Sequence, residues 1–421
     1  MNVTIKPSPL SGNVMIPPSK SLSHRAIIAA SLANGKSVIR NVLYSKDIKA
    51  TIGAMRACGA KIEEFDDYLV IHGSDVKRVS DVINACESGS TIRFMIPIAL
   101  VSNEPIVFTG ENHLVKRPLD TFFEIFDLQG IKYERQENYL PLKVNSGLHS
   151  GTFNVRGDIS SQFITGLLYA LPLLDGDSKI VITTNLESKG YIDLTLDMLT
   201  KFGIEIINND YKEFIIKGNQ KYKPYDYTIE GDFSQSAFFL VADCLGASIK
   251  LNAMNMNSHQ GDKKILNDIL DFKSNIHYEN GELYADSLKT KGAIIDFSQS
   301  PDLGPALTVL ASLSSGKSEF INASRLRIKE CDRITCMKEE LEKLGAKIEE
   351  HEDGMTIYGV DSLNGGVIDS HNDHRVAMAM AMASLKCNGD IKILNAGCVS
   401  KSYPNFWEVF EKLGGNISYE E

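Results

Sequence analysis

The sequence predicts an α/β (α+β) protein made of six βαβαββ repeats, most simply gathered into two lobes of three. Three observations lead there. The octapeptides ASLANGKS (residues 30–37) and ASLSSGKS (residues 311–318) are nearly identical and start 281 residues apart. Similar joints, an apolar helix end followed by a turn and a β-branched run, start at Ala30, Ala99, Ala170, Ala242, Ala311 and Ala383, spaced by 69, 71, 72, 69 and 72 residues. In step with them, amphipathic helical patterns stop at Gly59, Gly130, Gly203, Gly345 and Gly414, each followed by an alternating strand. Two markers sharing one period describe one repeated unit.

Each element of the unit has its own signal. A short β-branched strand leads in, as in GNVMIP (from Gly12), TFNVRG (from Thr152), YTIEGD (from Tyr227), AIIDFS (from Ala293) and GVIDS (from Gly366). The first helix is apolar almost all round, as in RAIIAASL, QFITGLLYAL and RVAMAMAMASL, which predicts a position buried among the other elements. After the turn and a second strand comes an amphipathic helix, expected nearer the surface. Glycine at its end supplies a left-handed cap; in repeat four Asn275 is expected to take that role. A hairpin such as AKIEEFDDYLVIHG or AKIEEHEDGMTIYG closes the unit. Repeat four starts near Tyr227, and the lobe boundary is expected there. A period of this length is too long for the common solenoids, so a non-enzymatic repeat scaffold stays open at this point.

Composition narrows the class. At 421 residues the chain exceeds a single comfortable core. Its net charge of −10 argues against general affinity for nucleic acid or membranes, so an anionic ligand would need a local basic cluster. The opening MNVTIKPSPLSG lacks the apolar core of a signal peptide, and the run from Val376 to Leu385 is too short to span a bilayer. With seven cysteines and no Cys-x-x-Cys pair, reduced thiols in a cytoplasmic protein are expected.

The helix starts carry the chemistry. Lys20, Arg25, Arg93 and Arg375 stand at or near the starts of first helices, where the positive end of the dipole disfavours cations. Second helices repeat the anomaly with Lys46, Arg117, Lys189, Lys263, Arg333 and Lys401, each about thirteen residues before the capping position. One such residue is ordinary; a basic residue in nearly every copy is a patterned violation of a local rule. An anion held jointly by helix N-termini and Lys/Arg side chains resolves it. The competing readings are weaker. The pair ending in Gly-Lys-Ser lacks the first glycine of a P-loop and follows a helix where a P-loop follows a strand. His371 and His374 fit capping and packing better than metal binding, and the methionines from 378 to 382 read as core.

Several ordered segments resemble the 5-enolpyruvylshikimate-3-phosphate synthase family: PPSKSLSHRA (from Pro17), ESGSTIR (ending at Arg93), KRPL (ending at Leu119), SSQF (ending at Phe163), RIKECDR (ending at Arg333), NDHRVAM (ending at Met378) and SKSYP (ending at Pro404). The resemblance covers the whole chain. It implies a two-lobed inside-out α/β barrel that closes on its substrates, with chain crossings near residues 13–18 and 226–231. The implied lobes are residues 18–228 (repeats one to three) and residues 1–17 with 229–421 (repeats four to six), the active site lying in the cleft between them. The implied reaction moves the enolpyruvyl group of phosphoenolpyruvate onto the 5-hydroxyl of shikimate 3-phosphate, through a tetrahedral ketal, and releases phosphate.

Carried over position by position, the resemblance assigns Lys20, Ser21, Arg25, Ser160, Ser161, Gln162, Ser188, Asp302 and Lys329 to shikimate 3-phosphate. It assigns Lys20, Gly89, Arg117, Gln162, Arg333, Arg375 and Lys401 to phosphoenolpyruvate. Asp302 matches the base, Glu330 the proton donor, and Lys20 is a rival for part of that work. No cofactor and no metal are implied, because Arg and Lys neutralise the charge; a monomer acting on these two small molecules is expected, with glyphosate as an inhibitor beside Gly89. Glu87 and Ser90 stand where many relatives have Asn and Thr, and Arg325 where Asn often contacts shikimate 3-phosphate. The rival within the superfamily, UDP-N-acetylglucosamine enolpyruvyl transferase, carries a reactive Cys in the loop that here reads TGENHLVKRP (residues 109–118), which has none. A catalytically silent, anion-binding scaffold is the alternative from a different class.

Overall fold

Six four-stranded sheets share one plan in the computed structural model, which describes residues 1–286 and 289–420. In each, a lead-in strand runs parallel to the strand after the first helix, and two antiparallel strands complete the sheet, in five of the six as a hairpin pair. The helices between them are α1 (Lys20–Leu32), α2 (Lys46–Ala57), α3 (Gly89–Ala99), α4 (Asp120–Gln129), α5 (Ser161–Ala170) and α6 (Lys189–Lys201) in the first three repeats. The last three contribute α7 (Phe233–Cys244), α8 (Ile265–Asp271), α9 (Gly304–Ser312), α10 (Arg333–Lys343), α11 (His374–Ala383) and α12 (Phe406–Lys412). The chain divides into two compact units, Pro18–Ile229 and Met1–Pro17 with Glu230–Glu421. Each has its own apolar core.

The odd-numbered helices are the buried ones, as their all-round apolarity predicts. All twelve residues of α7 and all ten of α11 are buried, against five of thirteen in the second helix α6. Each fully buried Leu, Ile, Val, Phe or Met contributes about 1.5–3 kcal/mol. Close packing needs small residues where two such helices touch. A Cβ on Gly166 of α5 would lie 2.4 Å from the carbonyl oxygen of Arg93 in α3, so only glycine fits at that crossing. Side-chain caps define the starts: Ser19, Ser45, Ser88, Ser160, Asp232, Asp332 and Asp373 each accept a backbone N–H of the first turn. The two Gly-Lys-Ser turns lie at the C-terminal ends of α1 and α9 and open strands Gly35–Arg40 and Lys317–Ile321. They are the opposite ends of those helices from the residues that begin them.

Four details differ from the sequence reading. The strand Ser11–Met15, which the repeat pattern alone reads as the lead-in of repeat one, pairs in parallel with Ser248–Asn252 of repeat four. In exchange, Tyr227–Thr228 pairs with Gly35–Arg40 of repeat one. Repeat six ends after one hairpin strand, Asn416–Glu420, and its missing partner is the chain's first strand, Asn2–Lys6, inserted between Ile391–Leu394 and Asn416–Glu420. Strand pairing is non-local, so a local strand signal leaves the partner open. In repeat four the left-handed cap is Lys273 (φ 66°), not Asn275, because α8 ends at Asp271. The glycine caps of the other five repeats have φ between 68° and 106°. Finally, Lys46, Lys189 and Arg333 open their helices, whereas Arg117, Lys263 and Lys401 lie in or just after 3-10 turns that precede α4, α8 and α12. For Arg117 the cause is the proline that follows it, Pro118, which disfavours helical backbone in the residue before it.

Candidate functional site

In the unit Pro18–Ile229 the anomalous cations gather at helix starts and find partners on other helices and turns of the unit. Lys20, first residue of α1, lies 3.0 Å from Asp47 in the first turn of α2. Arg25 is buried and donates to Thr195 Oγ1 (2.9 Å), the Tyr191 carbonyl (3.0 Å) and the Ser21 carbonyl (2.8 Å), tying α1 to α6. Burial pushes its guanidinium down to about 10, which leaves it cationic at neutral pH. His24 beside it bonds Thr51 Oγ1 at 2.7 Å, and burial, then Lys20 and Arg25, lower its pKa well below the usual imidazole value. His24 is therefore a neutral imidazole at neutral pH.

A second group in the same unit centres on Gln162. Its side-chain oxygen accepts from Arg93 (2.8 Å) and its amide donates to Ser90 (2.9 Å). Arg93 also donates to the Pro118 carbonyl (3.0 Å) and stacks 4.9 Å over Phe163. Arg93 thus ties Gln162 to the Arg117–Pro118 turn. Gly89 opens α3 directly against Arg117: a Cβ there would lie 2.3 Å from Nη1. Ser160 caps α5, Ser161 opens it, and Ser188 precedes α6 in a left-handed conformation (φ 55°).

The other unit holds a denser charge cluster. Asp302, in the 3-10 turn before α9, lies 3.1 Å from Lys329, 3.0 Å from Arg333 and 3.2 Å from Arg375. Arg333, only 1% exposed, also contacts Glu330 at 2.7 Å and Asp373 at 2.7 Å. Burial alone would lower its pKa, but attraction to Asp373, Glu330 and Asp302 outweighs this and raises it. Arg375 donates to Ser234 Oγ (3.0 Å), which in turn donates to Asp232 (2.6 Å). Lys401 donates to the Asn372 carbonyl at 2.7 Å. Burial pushes Lys329 down to about 8; Arg325 and Arg333 act the same way, and Asp302 and Glu330 oppose them. Arg325 is buried, with Nη1 3.4 Å from the Ser298 carbonyl.

Three cations, Lys329, Arg333 and Arg375, therefore face three carboxylates, Asp302, Glu330 and Asp373, and Lys401 is held beside Asp373 by the Asn372 carbonyl. Motif reading found the cations and missed the groups that hold them: Asp47, Asp232 and Asp373 look like ordinary first-turn acids and caps, and Thr195 like any polar residue of an amphipathic helix.

The repeat fold and a set of Lys and Arg side chains at helix starts define an enolpyruvyl transferase. A family model described as EPSP synthase (3-phosphoshikimate 1-carboxyvinyltransferase) matches residues 4–410. The 3-phosphoshikimate 1-carboxyvinyltransferase of Clostridium novyi (strain NT) is 53% identical over 426 residues, covering 99% of this chain and 98% of that protein. The protein of the same name from Clostridioides difficile (strain 630) is 51% identical over 428 residues, covering 99% and 98%. A solved EPSP synthase from Acinetobacter baumannii superposes with a TM-score of 0.81 at 26% identity, over 100% of each chain. The chain belongs to the EPSP synthase family.

Proposed function

We propose that the chain transfers the enolpyruvyl group of phosphoenolpyruvate to the 5-hydroxyl of shikimate 3-phosphate and releases phosphate. The observation that carries this reading is Asp302, a carboxylate bonded to three cations, Lys329, Arg333 and Arg375, that anionic substrates would also engage. In this reading Lys20, Ser21, Arg25, Ser160, Ser161, Gln162, Ser188 and Lys329 hold shikimate 3-phosphate. Lys20, Gly89, Arg117, Gln162, Arg333, Arg375 and Lys401 hold phosphoenolpyruvate.

Asp302 takes the proton of the 5-hydroxyl as its oxygen bonds to C2 of phosphoenolpyruvate, while Glu330, or Lys20, delivers a proton to C3. The product of that step is a tetrahedral ketal phosphate. Loss of a proton from the new methyl group and cleavage of the C2–O bond to phosphate restore the double bond and expel phosphate. Two carboxylates in different surroundings suit opposite proton transfers. The reading has the chain act as a cytoplasmic monomer, without nucleic-acid or membrane partners. Its net charge of −10 supports the lack of general affinity for nucleic acid and membranes.

A phosphate-release assay tests it: release should require both substrates, and none above background with both present would sink the reading. The pH profile is part of the same test. The ammonium form of Lys329 is present below about 8 and is lost as pH rises through that value. The kcat/KM for shikimate 3-phosphate should then decline above it, by about tenfold per pH unit. In Lys329→Arg, whose guanidinium stays charged to about pH 12 or beyond, the decline should disappear.

A second expectation arises at Gly89. The Cβ of Gly89→Ala would meet the far end of Arg117, which can swing away, so the fold should survive while the guanidinium is displaced. The KM for phosphoenolpyruvate should rise about tenfold or more, with an unchanged melting temperature and an unchanged KM for shikimate 3-phosphate. Equal rises in both KM values would count against the assignment. Glyphosate inhibition is expected at the same place.

A further inference from the structure

The segment Asp369–Arg375 carries a feature that the reaction as described leaves unused. His371 and Asn372 are consecutive non-glycine residues in the left-handed region, with φ of 50° and 55°. Each such residue costs on the order of 1–3 kcal/mol and persists only where its surroundings over-determine it. The turn they form bears directly on the site. The Asn372 carbonyl accepts from Lys401 at 2.7 Å, and Asp373, the next residue, receives Arg333 at 2.7 Å and caps Arg375 at 2.8 Å. Three of the cations assigned to phosphoenolpyruvate thus depend on where this turn sits.

What holds the turn is a buried carboxylate behind it. Glu340 of α10 is 1% exposed. Its Oε1 lies 2.7 Å from His371 Nε2, and its Oε2 accepts the Asp369 N–H at 3.0 Å. Lys343 Nζ donates to both oxygens, at 2.8 and 2.7 Å. Asp369 in turn accepts the His371 N–H at 2.8 Å and the Asn395 amide at 3.0 Å. The ligand atoms of Glu339, Glu340 and His371 lie within 4.8 Å of one another. With an ammonium on both Glu340 oxygens, the cluster reads as an ion-pair network rather than a cation site.

We propose that His371 is a positioning residue for phosphoenolpyruvate: its imidazole, anchored on the buried Glu340 carboxylate, holds the left-handed turn that places Asn372 and Asp373, and through them Lys401, Arg333 and Arg375. This rests on the reaction proposed above. His371→Ala removes the anchor but leaves Glu340 paired with Lys343 and the Asp369 N–H, so the fold should persist. His371→Gln keeps a donor nitrogen within reach of Glu340.

The experiment measures steady-state phosphate release by wild type and both variants, varying each substrate in turn, beside calorimetric titration of each protein with phosphoenolpyruvate alone. His371→Ala should raise the KM for phosphoenolpyruvate, and weaken its binding, by about tenfold or more, because misplacement of a binding group by a fraction of an ångström to an ångström has effects of this order. The KM for shikimate 3-phosphate and the melting temperature should hold, and His371→Gln should recover most of the loss. An unchanged phosphoenolpyruvate affinity in His371→Ala overturns the proposal. So does a glutamine variant no better than alanine, or equal losses for both substrates with a lowered melting temperature. If wild type binds phosphoenolpyruvate but releases no phosphate, the reaction reading fails while the calorimetric comparison still decides the role of His371.

Discussion

Replacing Asp302 by Asn is expected to lower kcat by about 10²- to 10⁴-fold, the range of a lost general base, while the KM values for both substrates stay level or fall. The direction of KM follows from the contacts. Asp302 accepts from Lys329, Arg333 and Arg375 at 3.0–3.2 Å, so its charge competes with any anionic ligand for the same three cations. When substrate phosphate and carboxylate groups engage those cations, the Asp302 carboxylate loses its partners and becomes a better proton acceptor. Asparagine keeps the shape and one acceptor oxygen but can neither compete as an anion nor accept the proton. A fall in kcat with unchanged KM isolates a transition-state role. If the asparagine variant instead showed near-normal kcat with a raised KM, Asp302 would be only a spacer among cations, and the base would have to be sought elsewhere. Steady-state kinetics with each substrate varied in turn decides between them.

The same contacts explain what was legible in the sequence. Lys20, Arg333 and Lys401 stood out because a cation at a helix start opposes the dipole, and six copies of the anomaly made it a pattern. Asp47, Asp232 and Asp373 did not stand out, because an acid at a helix start is what the dipole and the capping rules favour anyway. Their work of holding the cations is visible only in three dimensions, since Arg333 and Asp373 are 40 residues apart. The repeat was legible for a similar reason: turn chemistry and apolar periodicity are local signals. In the repeat pattern alone the exchange of Ser11–Met15 with Tyr227–Thr228, and the closing of repeat six by Asn2–Lys6, are not legible, because every lead-in strand carries the same β-branched signal and nothing local names its partner; only the resemblance assigns residues 1–17 to the lobe of repeats four to six. In the sequence His371 reads as a cap or a packing residue. Its bond to Glu340 spans 31 residues, and its positive φ has no sequence signature beyond the tolerance of His and Asn for that region.

Arg333→Met is expected to abolish activity and also to destabilise its unit by about 3–5 kcal/mol, the usual cost of removing one partner of a buried ion pair. The reason lies in Asp373, which is fully buried and loses the guanidinium that contacts both of its oxygens, at 2.7 and 3.3 Å. Asp302 and Glu330, about one-fifth exposed, keep access to water and contribute less to the loss. The effect should therefore be reversible in stability but not in function. In Arg333→Met/Asp373→Asn the buried charge is gone, and the asparagine oxygen can still cap the Arg375 N–H now bonded at 2.8 Å. Much of the lost stability should return in the double variant while phosphate release stays absent. Urea unfolding followed by the fluorescence of Trp407 reads this directly, since Trp407 is the single tryptophan of the chain and is buried in the same unit as Arg333. A single variant that loses less than about 1 kcal/mol, within the range of an exposed pair, would mean that Asp373 is relieved some other way. A double variant no more stable than the single one would place the damage in packing around the Arg333 stem. Recovery of stability without activity would separate the two tasks of this arginine, neutralising a buried carboxylate and presenting its remaining N–H groups to phosphoenolpyruvate.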